Sequence, residues 1–310
     1  MSGRGSGGNA VTMPEGLVAL VSNLIDYAGL FPPAGLDMTT TVANYAAYLA
    51  GDENWMLERL VLPVARFDEF EAATPRLPRD DDAEPWPITA ITVPAADPRL
   101  EEDLARIDAF NVTHATGEAG LAVVDAIELR SGASDDIERA LDLVPDSIFP
   151  FFELPRAADP RGLLAAIVGG EAGAKIRTGG VTADLYPDVD TVARFIACCA
   201  AADVAFKATA GLHHPLRHRS ETTGAMEFGF LNVFVAAALA LNRELDASTM
   251  TAVLEASDID AFTFDDDGLA FEDHRLSVEE IEDARLSFAI SFGSCSFDEP
   301  RADLRELGLL

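Results

Sequence analysis

The sequence predicts an α/β chain of the (βα)8 class, a TIM barrel in a single domain. Three observations carry that expectation. Eight short apolar runs alternate with longer helical patterns, the number eight favours a closed barrel over an open sheet, and 310 residues, 49% of them hydrophobic, suffice for one barrel-sized core. The expected strands are Leu24–Phe31, Arg59–Val64, Ile88–Pro94, Ala122–Arg130, Ser147–Leu154, Gly173–Thr178, Val204–Ala210 and Asp260–Asp265. The expected helices are Thr40–Leu49, Phe67–Ala73, Pro98–Phe110, Ser134–Leu143, Pro160–Val168, Val189–Ala202 and Phe228–Leu245. Alternation of this kind implies parallel pairing through right-handed crossovers. Asp97-Pro98, Ser134-Asp135-Asp136 and Asp159-Pro160 read as helix starts, with a capping side chain followed by proline or acids. Pro75–Pro87 reads as an exposed loop. Residues 1–13 read as a Gly/Ser-rich tail without an apolar signal core, and 14–310 as the barrel domain with a C-terminal extension.

Composition narrows the function classes. The formal net charge is −31, from 53 acidic and 22 basic side chains. A disordered chain can be this acidic, but not while half apolar, so the charge belongs to the surface of a folded body. Such a surface repels nucleic acid and anionic membranes. Salt screens it strongly, and together with scarce lysine it reads as halophilic adaptation to a salt-rich cytoplasm. No run of 18 uninterrupted apolar residues suggests a membrane span. Three cysteines give no disulfide framework and fit a reducing, cytoplasmic compartment. Cys198 and Cys199 read as core residues. No calcium-loop spacing is present, and no cofactor is expected. The partner expected is a small-molecule substrate, with self-association left open.

A barrel places its chemistry where strands end and βα-loops begin. The polar residues there are Asp26, Tyr27, Arg66, Asp125, Glu128, Arg130, Glu153, Lys175, Arg177, Thr178, Lys207, Thr209, His213 and His214. Lysine use singles out two of them. The chain has twenty arginines and two lysines, Lys175 and Lys207, both inside apolar strand patterns. A buried lysine is costly unless paired, and desolvation or a neighbouring cation lowers its pKa. A neutral amine is what Schiff-base chemistry needs, and arginine cannot supply one. Adjacent strands six and seven would set one lysine as nucleophile beside another that lowers its pKa. Two other readings stay open at this point: both amines pair with buried carboxylates such as Asp125 or Glu153, or they bind an anion without covalent chemistry.

The string Lys175-Ile176-Arg177-Thr178-Gly179-Gly180 resembles the sixth-strand Lys-x-x-Thr-Gly motif of the deoxyribose-phosphate aldolase family. Phe206-Lys207-Ala208-Thr209-Ala210-Gly211 is similar to that family's seventh-strand Val-Lys-Ala-x-Gly-Gly motif, one βα unit later. Val124-Asp125-Ala126-Ile127 resembles its fourth-strand segment. The resemblance covers roughly residues 120–212. It implies a class I, Schiff-base lyase with Lys175 as nucleophile, Lys207 as the partner lowering its pKa, and Asp125 as proton relay. Glu128, Arg130, Glu153, Arg177, Thr178, Thr209, His213 and His214 would then bind substrate. Asp125-Ala126-Ile127-Glu128-Leu129-Arg130 also resembles the Glu-Leu-Arg strand of type I dehydroquinate dehydratase, another Schiff-base barrel.

Two departures bear on the substrate. The family's seventh-strand Gly-Gly is Ala210-Gly211 here, and an eighth strand ending in Asp265-Asp266-Asp267 would repel a phosphate. Arg177 stands where the family has a small residue and suits a carboxylate, gripped bidentately. Other chemistries remain as expectations. His213, His214 and His218 suit acid/base work, or, with strand-end carboxylates, a metal-dependent hydrolase or isomerase. A non-catalytic ligand-binding barrel is a third reading. Gly293–Pro300 mixes small polar residues with Cys295 but shows no strand–turn–helix context, so Cys295 reads as packing over the barrel end. His114 and His274 read as surface histidines.

Overall fold

Apolar runs become barrel strands where helices cover one face and the opposite strands cover the other. The run from Gly173 to Arg177 shows this, with its first four residues buried. The computed structural model describes residues 13–73, 76–80, 82–156 and 159–310. In it β1 (Ile25–Tyr27), β2 (Leu57–Pro63), β3 (Trp86–Ile91), β4 (Ala122–Arg130), β5 (Phe149–Glu153), β6 (Gly173–Arg177), β7 (Phe206–Thr209) and β8 (Ala289–Ser294) form a closed barrel. Each strand pairs in parallel with the next, and β8 closes the ring between β7 and β1. The (βα)8 expectation is correct. Strands two to seven lie within a few residues of their expected positions, and β4 coincides with its expected bounds.

The eighth strand is a correction. Phe262–Asp265 belongs to a separate three-stranded antiparallel sheet with Gly268–Phe271 and His274–Ser277. Its Asp265-Asp266-Asp267-Gly268 is a two-residue hairpin turn, which Asp and Gly favour. Only Phe262 of that strand's four residues is buried, whereas five of the six residues of Ala289–Ser294 are. Serine and glycine dilute the apolar signal of β8, and the aromatic alternation of Phe262–Asp265 imitates one. The stretch read as a C-terminal extension therefore supplies the last barrel strand and its helix, Asp298–Glu306. The three-stranded sheet rests on helix Glu15–Val21 so closely that a Cβ on Gly16 would lie 2.0 Å from the Gly268 carbonyl oxygen. That contact puts the acidic turn at the N-terminal end of the barrel.

The connection from β7 to β8 is long because it builds its own layer. Helix Phe230–Asn242 is apolar on every side, and ten of its thirteen residues are buried. Helices Val189–Ala202, Ala247–Glu255 and Val278–Ser287 surround it. Helix starts use Asp37, Asp188, Asp246 and Ser277, each accepting a backbone N–H three residues on. Asp97 and Asp159 instead bind the N–H two residues on, that of Arg99 or Arg161, so they form the preceding turn rather than the cap. The expected tail lies outside the described residues except for Met13. No helix among the described residues is long and apolar enough to cross a membrane. His114 is a further correction: it is buried beside Phe110, with its Nδ1 2.7 Å from the Gly120 carbonyl oxygen.

Candidate active site

Side chains alternate along a strand, so every second residue of each barrel strand faces the interior. The register sets Glu153 of β5 beside Lys175 of β6, Lys175 beside Lys207 of β7, and Lys207 beside Ser291 of β8. One row across four strands thus carries an acid, two amines and a hydroxyl. Asp26 from β1, Thr89 from β3 and Glu128 from β4 complete it from the opposite wall.

Glu128 joins the two lysines. Its Oε2 accepts from the Lys175 ammonium, and its Oε1 lies 2.9 Å from the Lys207 Nζ. Lys175 has a second partner, Glu153 Oε2 at 2.9 Å. Lys207 has Asp26 as its second carboxylate and Thr89 Oγ1 at 3.5 Å. Asp26 also accepts from Ser291 Oγ at 2.9 Å and from the Arg59 backbone N–H at 3.1 Å. Arg177 Nε stands 3.6 Å from Glu153 Oε1, at the open end. Three cations therefore face three carboxylates. That balance offsets the several kcal/mol that each buried ion otherwise costs.

The charges hold one another in place. Burial alone would raise the Glu128 carboxyl, but Lys175 and Lys207 more than offset it and bring it down to about 2. Burial likewise works against Glu153, and Lys175 leads the groups that hold it below its ordinary value. For Lys207 desolvation pulls the pKa down, while Asp26 and Glu128 pull harder and leave it raised. Lys207 is thus a fixed ammonium, sealed at 1% side-chain exposure. Lys175 sits nearer the opening, because Arg177, two residues further along the same face, is 41% exposed.

Other expected site residues fall elsewhere. Asp125 is the extra residue of a bulge: β3 pairs Ile88 with Val124 and Thr89 with Ala126, skipping it. Its two oxygens accept from Arg59 Nε and Nη2 at 2.8 Å each. Arg59 is the third residue of β2, so this pair lies toward the N-terminal end, and Glu128 is the β4 carboxylate that meets the lysines. Arg130 is exposed at the end of β4. Thr178 and Thr209 join strands: the Thr178 N–H donates to the Thr209 carbonyl at 2.9 Å, and Thr178 Oγ1 to the Ala210 carbonyl at 2.6 Å.

The motif glycines have a packing reason. A Cβ on Gly179 would lie 2.8 Å from the Gly211 Cα and 2.6 Å from the Tyr186 ring, and Gly211 has φ +76. Ala210 also holds a positive φ, 64. The two loops press together here, and the small residues permit it.

His213 Nδ1 lies 3.0 Å from Glu299 Oε2, and His214 Nδ1 2.5 Å from Asp303 Oδ2. Each imidazole turns its Nδ1 to its own carboxylate. Among the described residues no group of three or more His, Cys, Asp or Glu side chains has the geometry to hold a metal ion. Asp265–Asp267 lie at the other end of the barrel and so do not bar a phosphate from the open mouth. The true β8 ends in Gly293-Ser294.

Thr89 and Ser291 are missing from the expected strand-end residues, and Asp26, named among them, was given no role. Asp26 carried a signal, an acid inside an apolar run, as the lysines do; Thr89 and Ser291 carried none. No protein-family model matches the chain, nor does any curated protein or solved structure.

Proposed function

We propose that the barrel is a class I lyase that condenses a small carbonyl compound with Lys175. The observation that carries this reading is the pair of lysines in register on β6 and β7, sharing Glu128. For the amine to attack, Lys175 hands one proton to a carboxylate it already touches. Glu153 is the acceptor: it is 2.9 Å away and 15% exposed, whereas two ammonium groups keep Glu128 charged. The neutral nitrogen adds to the carbonyl carbon, and the proton held by Glu153 leaves with the departing water. The resulting iminium withdraws electrons from the adjacent C–C or C–O bond. Lys207 stays charged throughout and stands in register beside Lys175, sharing Glu128 with it, as the partner cation of the reacting amine. Arg177 and Arg130 at the opening suit a substrate with a carboxylate or another anionic group.

A second reading rests on the neutrality of the same network. Six paired charges can serve only to fix strand register, with no chemistry. One experiment separates the two. Borohydride reduction in the presence of aldehydes, ketones and 2-oxo acids traps an imine as a stable amine, and with two lysines in the chain peptide mass analysis locates it directly. The lyase reading expects an adduct on Lys175 that is lost in Lys175→Arg. Folded protein left unmodified at Lys175 across the panel rejects it.

A further inference from the structure

The segment after β8 has a context that its sequence concealed. Strand Ala289–Ser294 runs into a turn at Cys295 and then into helix Asp298–Glu306. This strand–turn–helix places Cys295 at the C-terminal end of the barrel, the end where barrel enzymes hold their chemistry. Three elements converge there. The loop after β7 brings His213, the end of β8 brings Ser294 and Cys295, and the first turn of the last helix brings Glu299.

The geometry is that of a nucleophile, a base and an orienting acid. Cys295 Sγ lies 4.0 Å from His213 Nε2, the long end of a sulfur hydrogen bond. The other ring nitrogen, Nδ1, lies 3.0 Å from Glu299 Oε2 and 3.4 Å from Ser294 Oγ. Catalytic hydrogen bonds are often loose before a ligand arrives. The remaining charged and titratable neighbours are Tyr27 from β1, Asp298 on the helix, and His214 on the loop.

We propose that Cys295 is a nucleophile, paired with His213 and oriented through Glu299, that takes small electrophiles of the peroxide class. At 8% exposure the sulfur is nearly covered, which favours a small electrophile. Burial works against a charged His213, yet Cys295 and Glu299 more than offset it and lift its pKa to about 10. An imidazole placed between the sulfur and a carboxylate can take up the thiol proton and stabilise the anion that forms on attack. Cys198 and Cys199 differ: burial pushes both thiols up, and no imidazole offsets that.

The step balances without another group. The thiolate attacks one peroxide oxygen and the O–O bond breaks. The leaving oxygen takes the imidazolium proton and departs as water or an alcohol. Sulfur is oxidised by two electrons to a sulfenic acid and the peroxide is reduced; one external thiol then condenses with the sulfenic acid to a mixed disulfide, releasing water, and a second thiol frees the cysteine as the external disulfide. None of this depends on Lys175.

The test is site-resolved alkylation of the whole protein by iodoacetamide from pH 5 to 9, followed by dimedone capture of sulfenic acid after hydrogen peroxide. Cys295 is expected to react about tenfold faster than Cys198 at pH 6, and to be the residue dimedone marks. His213→Asn is expected to slow Cys295 about tenfold and move its profile toward that of an ordinary thiol, with about threefold slowing for Glu299→Gln. Because Glu299 is 53% exposed, its variant keeps the comparison readable if His213→Asn does not fold. Cys295 labelling no faster than Cys198 at pH 6 overturns the proposal. So does an unchanged profile in a folded variant of either partner.

Discussion

At the N-terminal end of the barrel the Arg285 guanidinium is buried and donates to the backbone carbonyls of Leu20, Ser22, Asn23, Ala289 and Ile290. Toward the C-terminal end Lys175 and Lys207 are equally buried but donate only to side chains, chiefly Asp26, Glu128 and Glu153. The contrast follows from the two cations. Arginine has five donors in a rigid fork and does not give up its proton, so it suits a clamp on neutral carbonyls. Lysine can lose a proton, and here it touches groups able to receive one. A cavity of about 840 Å³ opens beside the clamp, lined among others by Glu58, Arg59, Glu282 and Arg285. It is roomy, but it lies at the end that barrels use for stability.

The contrast can be broken at either end. Replacing Glu128 with leucine leaves two buried ammonium groups with one carboxylate each, and should cost roughly 3–5 kcal/mol in a denaturant melt. Next comes Arg285→Lys, which cannot reach five carbonyls; leaving some unpaired should cost about 3 kcal/mol. Imine trapping at Lys175 should nevertheless persist in the folded fraction. Loss of trapping in folded Arg285→Lys would show that the two ends are not separable. Lys175→Arg should show the reverse pattern: trapping abolished, and a melt lowered by about 1–3 kcal/mol from overpacking.

The response to pH sharpens the same contrast. Glu128 and Glu153 sit below the ordinary 4.5, so the stability they contribute is present above that pH and is lost as the medium acidifies. Lys207 sits above the ordinary 10.5, so its contribution is present below that pH and is lost only as pH rises through its folded value. Melting temperature should therefore hold through neutrality and fall on the acid side, with a shallower acid limb in a Glu128 variant. The smallest effect is expected for Asp125→Asn, about 1 kcal/mol, because that pair with Arg59 is partly exposed. Trapping should then stay within about twofold. A tenfold slowing would instead support the proton-relay role implied by the aldolase resemblance.

Much of this was legible in the sequence where one residue type meets one period. Strands two to seven showed as apolar runs, and a lysine inside such a run marked Lys175 and Lys207. Strand eight was not legible, because Ser291, Gly293 and Ser294 carry little apolar signal, while Phe262 and Phe264 mimic a core strand on a half-buried hairpin. Asp125 misled through a bulge, which moves one residue out of the ladder without a mark in composition. Cys295 misled for the same reason as β8: without the strand there was no turn to recognise. Partners brought in from distant strands, such as Thr89 and Ser291, depend on closure of the ring and have no local signature.

Burying the only two lysines also leaves the folded surface without a single side-chain ammonium group. Amine-directed reagents, such as acylating esters and bifunctional cross-linkers, meet only guanidinium groups and the chain's own α-amine. Acylation of Lys207, sealed at 1% side-chain exposure, then reports an opening of the barrel. The rate of that labelling becomes a clock for native-state breathing, read against Lys175 nearer the mouth.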